Sequence, residues 1–171
     1  MLSMILNHDI NQVKEIWLKC FDVSEDYFDS FLIRFYRPDY MISYKVNNKI
    51  VSVSYIIPCT SAMGNTAYLF GLATLPEYRG KGYASALVSE TLEACKVLGF
   101  DVAVLIPEKK NSTSYYSKFG YIDAGIHLSF TTDFILGIGN PNEDIAMIAF
   151  LKNQNKDHYP KELLCTPCAE I

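Results

Sequence analysis

Two glycines, Gly80 and Gly82, stand where a run of strand character, Ala67–Leu75, gives way to a helical run, Gly82–Leu98. Pro76 stops the strand, and Ala84, Leu87, Val88, Thr91, Ala94 and Leu98 share one face of the helix, with Gly99 suited to the left-handed position after it. The glycines let the backbone turn tightly and come close to a ligand. The free N–H groups at the helix start point back at this loop, and with the helix dipole they favour a bound anion such as a pyrophosphate. Arg79 and Lys81 place positive charge beside it.

The rest of the chain is arranged around that junction. Asp9 is placed to cap a helix reaching Phe21, with Ile10, Val13, Ile16, Trp17 and Cys20 at helical spacing. Ser24 is placed to cap a second helix, whose Phe28, Phe31, Leu32 and Phe35 form one apolar stripe before Pro38. The period then falls to two. Tyr40–Val46 and Ile50–Ile57 read as strands joined at Asn47-Asn48, followed by a loop of small residues from Cys59 to Asn65. Asp101–Ile106 is nearly all apolar, as in a strand covered on both faces. Asn111–Phe119 reads as a short helix closed by Gly120, with two late strands near Tyr121–Phe130 and Ile145–Leu151. The order α-α-β-β-β-α-β-α-β-β gives an α/β fold with a mixed sheet and helices on both faces. The organisation expected is one domain over 1–152 and a tail or packed arm over 153–171.

Composition excludes several classes. At 171 residues, half of them hydrophobic, the chain can bury a core without staples. The net charge of -4 and the lack of a basic stripe speak against nucleic acid as a partner. Met1–Leu6 is apolar but short and has no basic flank, so it does not read as a signal peptide, and no apolar run is long enough to span a membrane. A cytoplasmic protein is the expectation. Five cysteines form no disulfide framework; Cys165-Thr-Pro-Cys168 lacks a second pair, with His158 its only nearby further ligand, so no metal site is expected and both thiols read as reduced. His8, His127 and His158 follow no ligand spacing and read as structural.

Other phosphate-binding loops fit less well. A Walker A loop needs Gly, four residues, then Gly-Lys and Ser or Thr, and the chain has none. A dinucleotide loop needs a third glycine where Ser85 stands, and no second βαβ half follows. By contrast, Arg79, Gly82 and Ala84 match the signature of the GNAT superfamily of acetyltransferases: Arg or Gln, two residues, Gly, one residue, then Gly or Ala. Here the chain resembles that family. Pro76-Glu77-Tyr78 before the loop, and Tyr116-Ser117-Lys118-Phe119-Gly120-Tyr121 after it, extend the resemblance over the central third of the chain.

The resemblance implies a mostly antiparallel sheet with one splayed parallel strand pair and acetyl-CoA in the gap. Backbone groups of Leu72, Ala73 and Thr74 would hold the pantetheine arm, and the stretch Arg79, Gly80, Lys81, Gly82, Tyr83, Ala84 the pyrophosphate. Asn111 would contact the cofactor, although its spacing to Tyr116 is shorter than the family's. Tyr116 would be the general acid, with Tyr115 the neighbour that could take its place. The implied reaction is direct transfer of an acetyl group to a primary amine, with no covalent enzyme intermediate; the acceptor, small molecule or peptide, is not legible. The same fold also serves non-catalytic acyl-CoA sensors, and the family's late strands often pair between subunits, which allows a homodimer. Asp22, Glu25, Asp26 and Asp29 gather on the second helix opposite its phenylalanines, as a solvated face or as an attractor for a cationic acceptor.

Overall fold

Asn47 and Asn48 both adopt left-handed backbone conformations, with φ of 49° and 64°, and close a two-residue turn that suits the twist of a hairpin. The turn joins β2 (Met41–Val46) to β3 (Lys49–Ser61) in a computed structural model that describes residues 2–4, 9–108, 112–132, 134, 145–152 and 159–168. The remaining elements are β1 (Leu2–Met4), α1 (Ile10–Cys20), α2 (Glu25–Phe35), β4 (Gly64–Thr74), α3 (Tyr83–Val97), β5 (Val102–Leu105), α4 (Thr113–Ser117), β6 (Ile122–Phe130), β7 (Ile145–Phe150) and β8 (Glu162–Pro167). The strands hydrogen-bond in the order β1-β2-β3-β4-β5-β7-β6-β8, antiparallel except for the β4–β5 and β6–β8 pairs. This is the mixed α/β sheet that the element order predicts. The described residues divide into two compact units, one of those up to Ile56 with Phe70–Thr91, the other of Ile57–Leu69 with those from Leu92 to Cys168.

In the first unit β1 and β3 flank β2, with Leu2 opposite Tyr44 and Met41 opposite Tyr55. The apolar stripes of α1 and α2 are buried as their spacing predicts, through Val13, Ile16, Trp17, Phe28 and Phe31. Trp17 lies among Phe21, Phe28, Phe31 and Phe70, with ring centroids 4.7–5.8 Å away and mostly edge-on, the arrangement that aromatic quadrupoles favour. Ser24 caps α2 by accepting the Tyr27 N–H at 3.1 Å. Asp9 stands at the start of α1 but does not cap it. Its buried carboxylate instead accepts the Lys45 ammonium at 2.6 Å, because a full charge partner outweighs a single backbone donor at a site withdrawn from water.

In the second unit the expected loop from Cys59 to Asn65 is mostly strand. β3 runs on to Ser61, and only Ala62 and Met63 separate it from β4. The small residues are polar clasps: the Ser61 hydroxyl accepts the Met63 N–H at 3.0 Å and lies 2.8 Å from the Thr66 hydroxyl. Asp101 secures the start of β4 by accepting the Asn65 N–H at 2.8 Å and the Lys152 ammonium at 2.7 Å, and the ammonium foremost holds its carboxyl below the usual range. β5 is buried at every position, as an all-apolar run should be. α3 ends in a Schellman motif: the Gly99 N–H reaches Lys96 C=O, the Phe100 N–H reaches Cys95 C=O, and Gly99 is left-handed. This returns Phe100 to the core and leaves Leu98, expected on the apolar face, partly exposed, while Cys95 is buried. Glu162–Pro167 is a third late strand. Its Leu163, Cys165 and Pro167 are buried and alternate with exposed residues, and it pairs with both β6 and the end of β3.

Candidate functional site

The parallel pairing of β4 with β5 covers Thr66–Tyr68 against Val102–Val104, while β4 itself continues to Thr74. Among the described residues, Leu69–Thr74 therefore have no β5 partner in that register. Within this stretch Gly71 is left-handed, with φ of 63°, and the Trp17 indole lies so close that a Cβ at Gly71 would be 2.5 Å from Cζ2. A left-handed residue inside a strand breaks the pleat, and β4, buried from Thr66 to Leu69 and again at Ala73 and Thr74, is only half-buried at Phe70, Gly71 and Leu72.

The strand end is tied down on its β3 side. The Ser52 hydroxyl donates to Ala73 C=O at 2.8 Å and meets the Thr74 hydroxyl at 2.7 Å, and the Leu75 N–H donates to Val51 C=O at 2.9 Å. A single 3₁₀ turn, Pro76–Tyr78, then leads into the loop. Gly80 and Gly82 are both left-handed, with φ of 73° and 83°, and a Cβ at either would meet nothing within 4 Å. The first α-helical bond beyond them runs from the Ala86 N–H to Gly82 C=O. The amides of Gly80, Lys81, Gly82, Tyr83 and Ala84 thus precede the helical ladder and have no partner in it. They form the open positive end of a 15-residue helix.

The loop's side chains divide in a way that the sequence does not indicate. The Arg79 guanidinium turns back, Nε donating to Thr74 C=O at 3.1 Å and Nη2 lying 3.8 Å from Cys20 Sγ. The Lys81 ammonium sits 5.2 Å from the centre of the Tyr78 ring. Tyr83 is half-buried against Tyr44, with ring centroids 4.7 Å apart. Cys20 and Ser52 are contributors that sequence reasoning misses. They lie far from the loop in the chain and belong to no motif, so no local signal marks them.

Leu72 through Ala84 are thus gathered in the first unit. Tyr116 belongs to the second, on α4, beside Tyr115 at 5.1 Å and Tyr121 at 6.1 Å between ring centroids. Burial pushes the Tyr116 phenol up to about 12, with the neighbouring Tyr115 and Glu108 adding to the shift. Tyr121 is almost wholly buried, and its hydroxyl has no hydrogen-bond partner among the described residues. Asn111 lies outside the described residues, as do His8 and His158. On α2, Glu25 and Asp29 both bind Lys14 at 2.9–3.0 Å, so half of the acidic cluster already holds a cation of the protein's own. Among the described residues no group of three His, Cys, Asp or Glu is placed to hold a metal ion, and no helix is long and apolar enough to cross a membrane.

Comparison with known proteins agrees with this architecture. The sequence matches the family model described as an acetyltransferase (GNAT) domain over residues 4–123. No curated protein sequence matches it significantly. Among solved structures, the fold is similar to a GNAT family N-acetyltransferase (YhbS) from Escherichia coli in complex with CoA, at TM-score 0.73 and 14% identity over 96% of this chain and 88% of that one. It is also similar to the ribosomal-protein-S18-alanine N-acetyltransferase of Escherichia coli, at TM-score 0.64 and 19% identity over 93% and 98% of the two chains. A GCN5-related N-acetyltransferase from Kribbella flavida matches at TM-score 0.62 and 22% identity over 71% of this chain and 32% of that one, so the chain spans about a third of that protein's length. With the family model covering most of the sequence and the strand, loop and helix arranged as that family arranges them, the chain belongs to the GNAT acetyltransferase family.

Proposed function

We propose that the protein is an N-acetyltransferase that moves an acetyl group from acetyl-CoA to a primary amine by direct transfer in a ternary complex. The carrying observation is the run of amides from Gly80 to Ala84 at the start of α3, which offers a diphosphate several N–H donors and a helix dipole at once. In this reading the pantetheine arm lies along Leu72, Ala73 and Thr74, Lys81 adds charge near the diphosphate, and Asn111 is a further cofactor contact. The amine lone pair attacks the thioester carbonyl, a backbone N–H of β4 takes up the developing oxyanion, and collapse of the tetrahedral intermediate breaks the C–S bond. The Tyr116 hydroxyl then protonates the departing thiolate, the nitrogen gives up its surplus proton to water, and a proton from water restores the phenol. With its phenol raised to about 12, by burial foremost, Tyr116 holds its proton throughout the neutral range.

Release of free thiol from acetyl-CoA over a panel of amines tests the activity. In the Tyr116→Phe variant kcat is expected to fall roughly 10²- to 10⁴-fold with acetyl-CoA affinity retained. Unchanged turnover would remove Tyr116 from the mechanism. Tight CoA binding by the unaltered protein with no thiol release on any amine would mark a sensor rather than an enzyme.

A further inference from the structure

We infer that Cys20 is a positioning residue for CoA, acting with Arg79 as a clip on the Thr74 carbonyl that sets the direction of the diphosphate-binding loop. The inference rests on the reading of Gly80–Ala84 as that loop. Thr74 is the last residue of β4, and its carbonyl oxygen receives two donors, Arg79 Nε at 3.1 Å and the Cys20 thiol at 3.4 Å. Arg79 Nη2 reaches the same sulfur at 3.8 Å, which closes a triangle between the end of β4, the start of the loop and the last residue of α1. Both lone pairs of the Thr74 carbonyl are then taken inside the protein, and the guanidinium at the family's motif position is engaged away from the ligand.

The loop needs such an anchor. Gly80 and Gly82 carry no side chains, and the space above them is open, so local packing does not fix their amides. Their orientation is inherited from the two ends, α3 on one side and Arg79 on the other. Ser52 and Val51 already hold the β3 side of the strand end through Ala73, Thr74 and Leu75. The clip supplies the remaining constraint from α1, bridging 54 residues of chain between Cys20 and Thr74. A guanidinium suits the position because its Nε and Nη2 form a rigid fork that reaches the carbonyl and the sulfur together, which a lysine ammonium on a flexible stem does not reproduce.

The test measures CoA affinity by calorimetry, kcat at saturating acetyl-CoA, and Tm on the full chain. Cys20→Val adds one methyl group at a half-buried site and deletes the donor and acceptor; it is expected to weaken CoA binding roughly 3- to 10-fold, the worth of one ordinary hydrogen bond, with kcat and Tm little changed. Cys20→Ser restores a donor and is expected to bring affinity back to within about twofold of the unaltered protein. In an Arg79→Lys background, where the fork is gone, Cys20→Val is expected to have little further effect, because residues acting as one unit are not additive. Unaltered affinity in Cys20→Val, no recovery in Cys20→Ser, or full additivity with Arg79→Lys would each overturn the clip. Should Cys20→Val fold poorly, Cys20→Ser and the Arg79→Lys pair decide the matter between them. If the unaltered protein does not bind CoA in the same titration, the loop's assignment has failed, which is a separate outcome.

Discussion

Gly71 carries more than one demand on a single position. Its φ of 63° disfavours any side chain, and the Trp17 ring occupies the place where a Cβ would stand. Gly71→Ala is expected to cost about 2–4 kcal/mol, from left-handed strain together with overpacking, read as a lower urea midpoint at unchanged slope. Tyr116 is the proposed general acid. A catalytic acid works in its protonated form, so its contribution declines only as pH climbs toward about 12. The kcat profile should therefore hold level to about pH 10; a descending limb centred near neutrality would point to another acid. The sign for folding is the same. Tyr27 and Tyr116 are both raised to about 12 from 10.0 by burial foremost, so the unfolded chain ionises first. Stability is complete below about pH 10 and is lost as pH rises toward about 12, which alkaline unfolding followed by circular dichroism will show.

Among the elements, β8 departs furthest from its sequence pattern. Its partly exposed Leu164 and flanking prolines disguise a strand whose alternate residues face the core. Leu163→Ala is expected to destabilise by roughly 2–4 kcal/mol, measured by thermal unfolding; an indifferent result would mean that β8 is dispensable. The strand also resolves the Cys165–Cys168 pair. Three residues of extended chain separate the two by about 10 Å on opposite faces, beyond the roughly 7 Å limit for a disulfide. Cys165 is instead buried, as is Cys59, whose thiol lies 3.5 Å from the Ile57 carbonyl and is held well above its ordinary pKa, foremost by the neighbouring Cys165 and then by burial. Alkylation at neutral pH followed by mass spectrometry should modify Cys168 quickly and spare Cys59, Cys95 and Cys165 until denaturant is added. The stripes of α1 and α2 and the apolar run of β5 were legible because their spacing reports burial directly. The Ser61–Thr66 clasp was not, since a stretch of small and polar residues looks alike whether its hydroxyls face water or each other.

For the molecule as a whole, a ligand held by the Gly80–Ala84 loop of the folded state alone adds to stability. CoA at about a hundredfold excess over its Kd should stabilise the fold by about 2.7 kcal/mol and raise Tm by roughly 5–10 °C; a flat melting curve across the titration would dismiss CoA as the ligand. The family resemblance and the strand-to-helix turn were legible in the sequence, because they rest on backbone geometry and spacing within a few residues, where glycine, proline and helical period act directly. Which way Arg79 points, that Cys20 and Ser52 reach the end of β4, and that Tyr116 is half-buried come from the tertiary structure alone. Those properties depend on groups tens of residues apart brought within hydrogen-bond distance or out of water, and no local pattern carries that information.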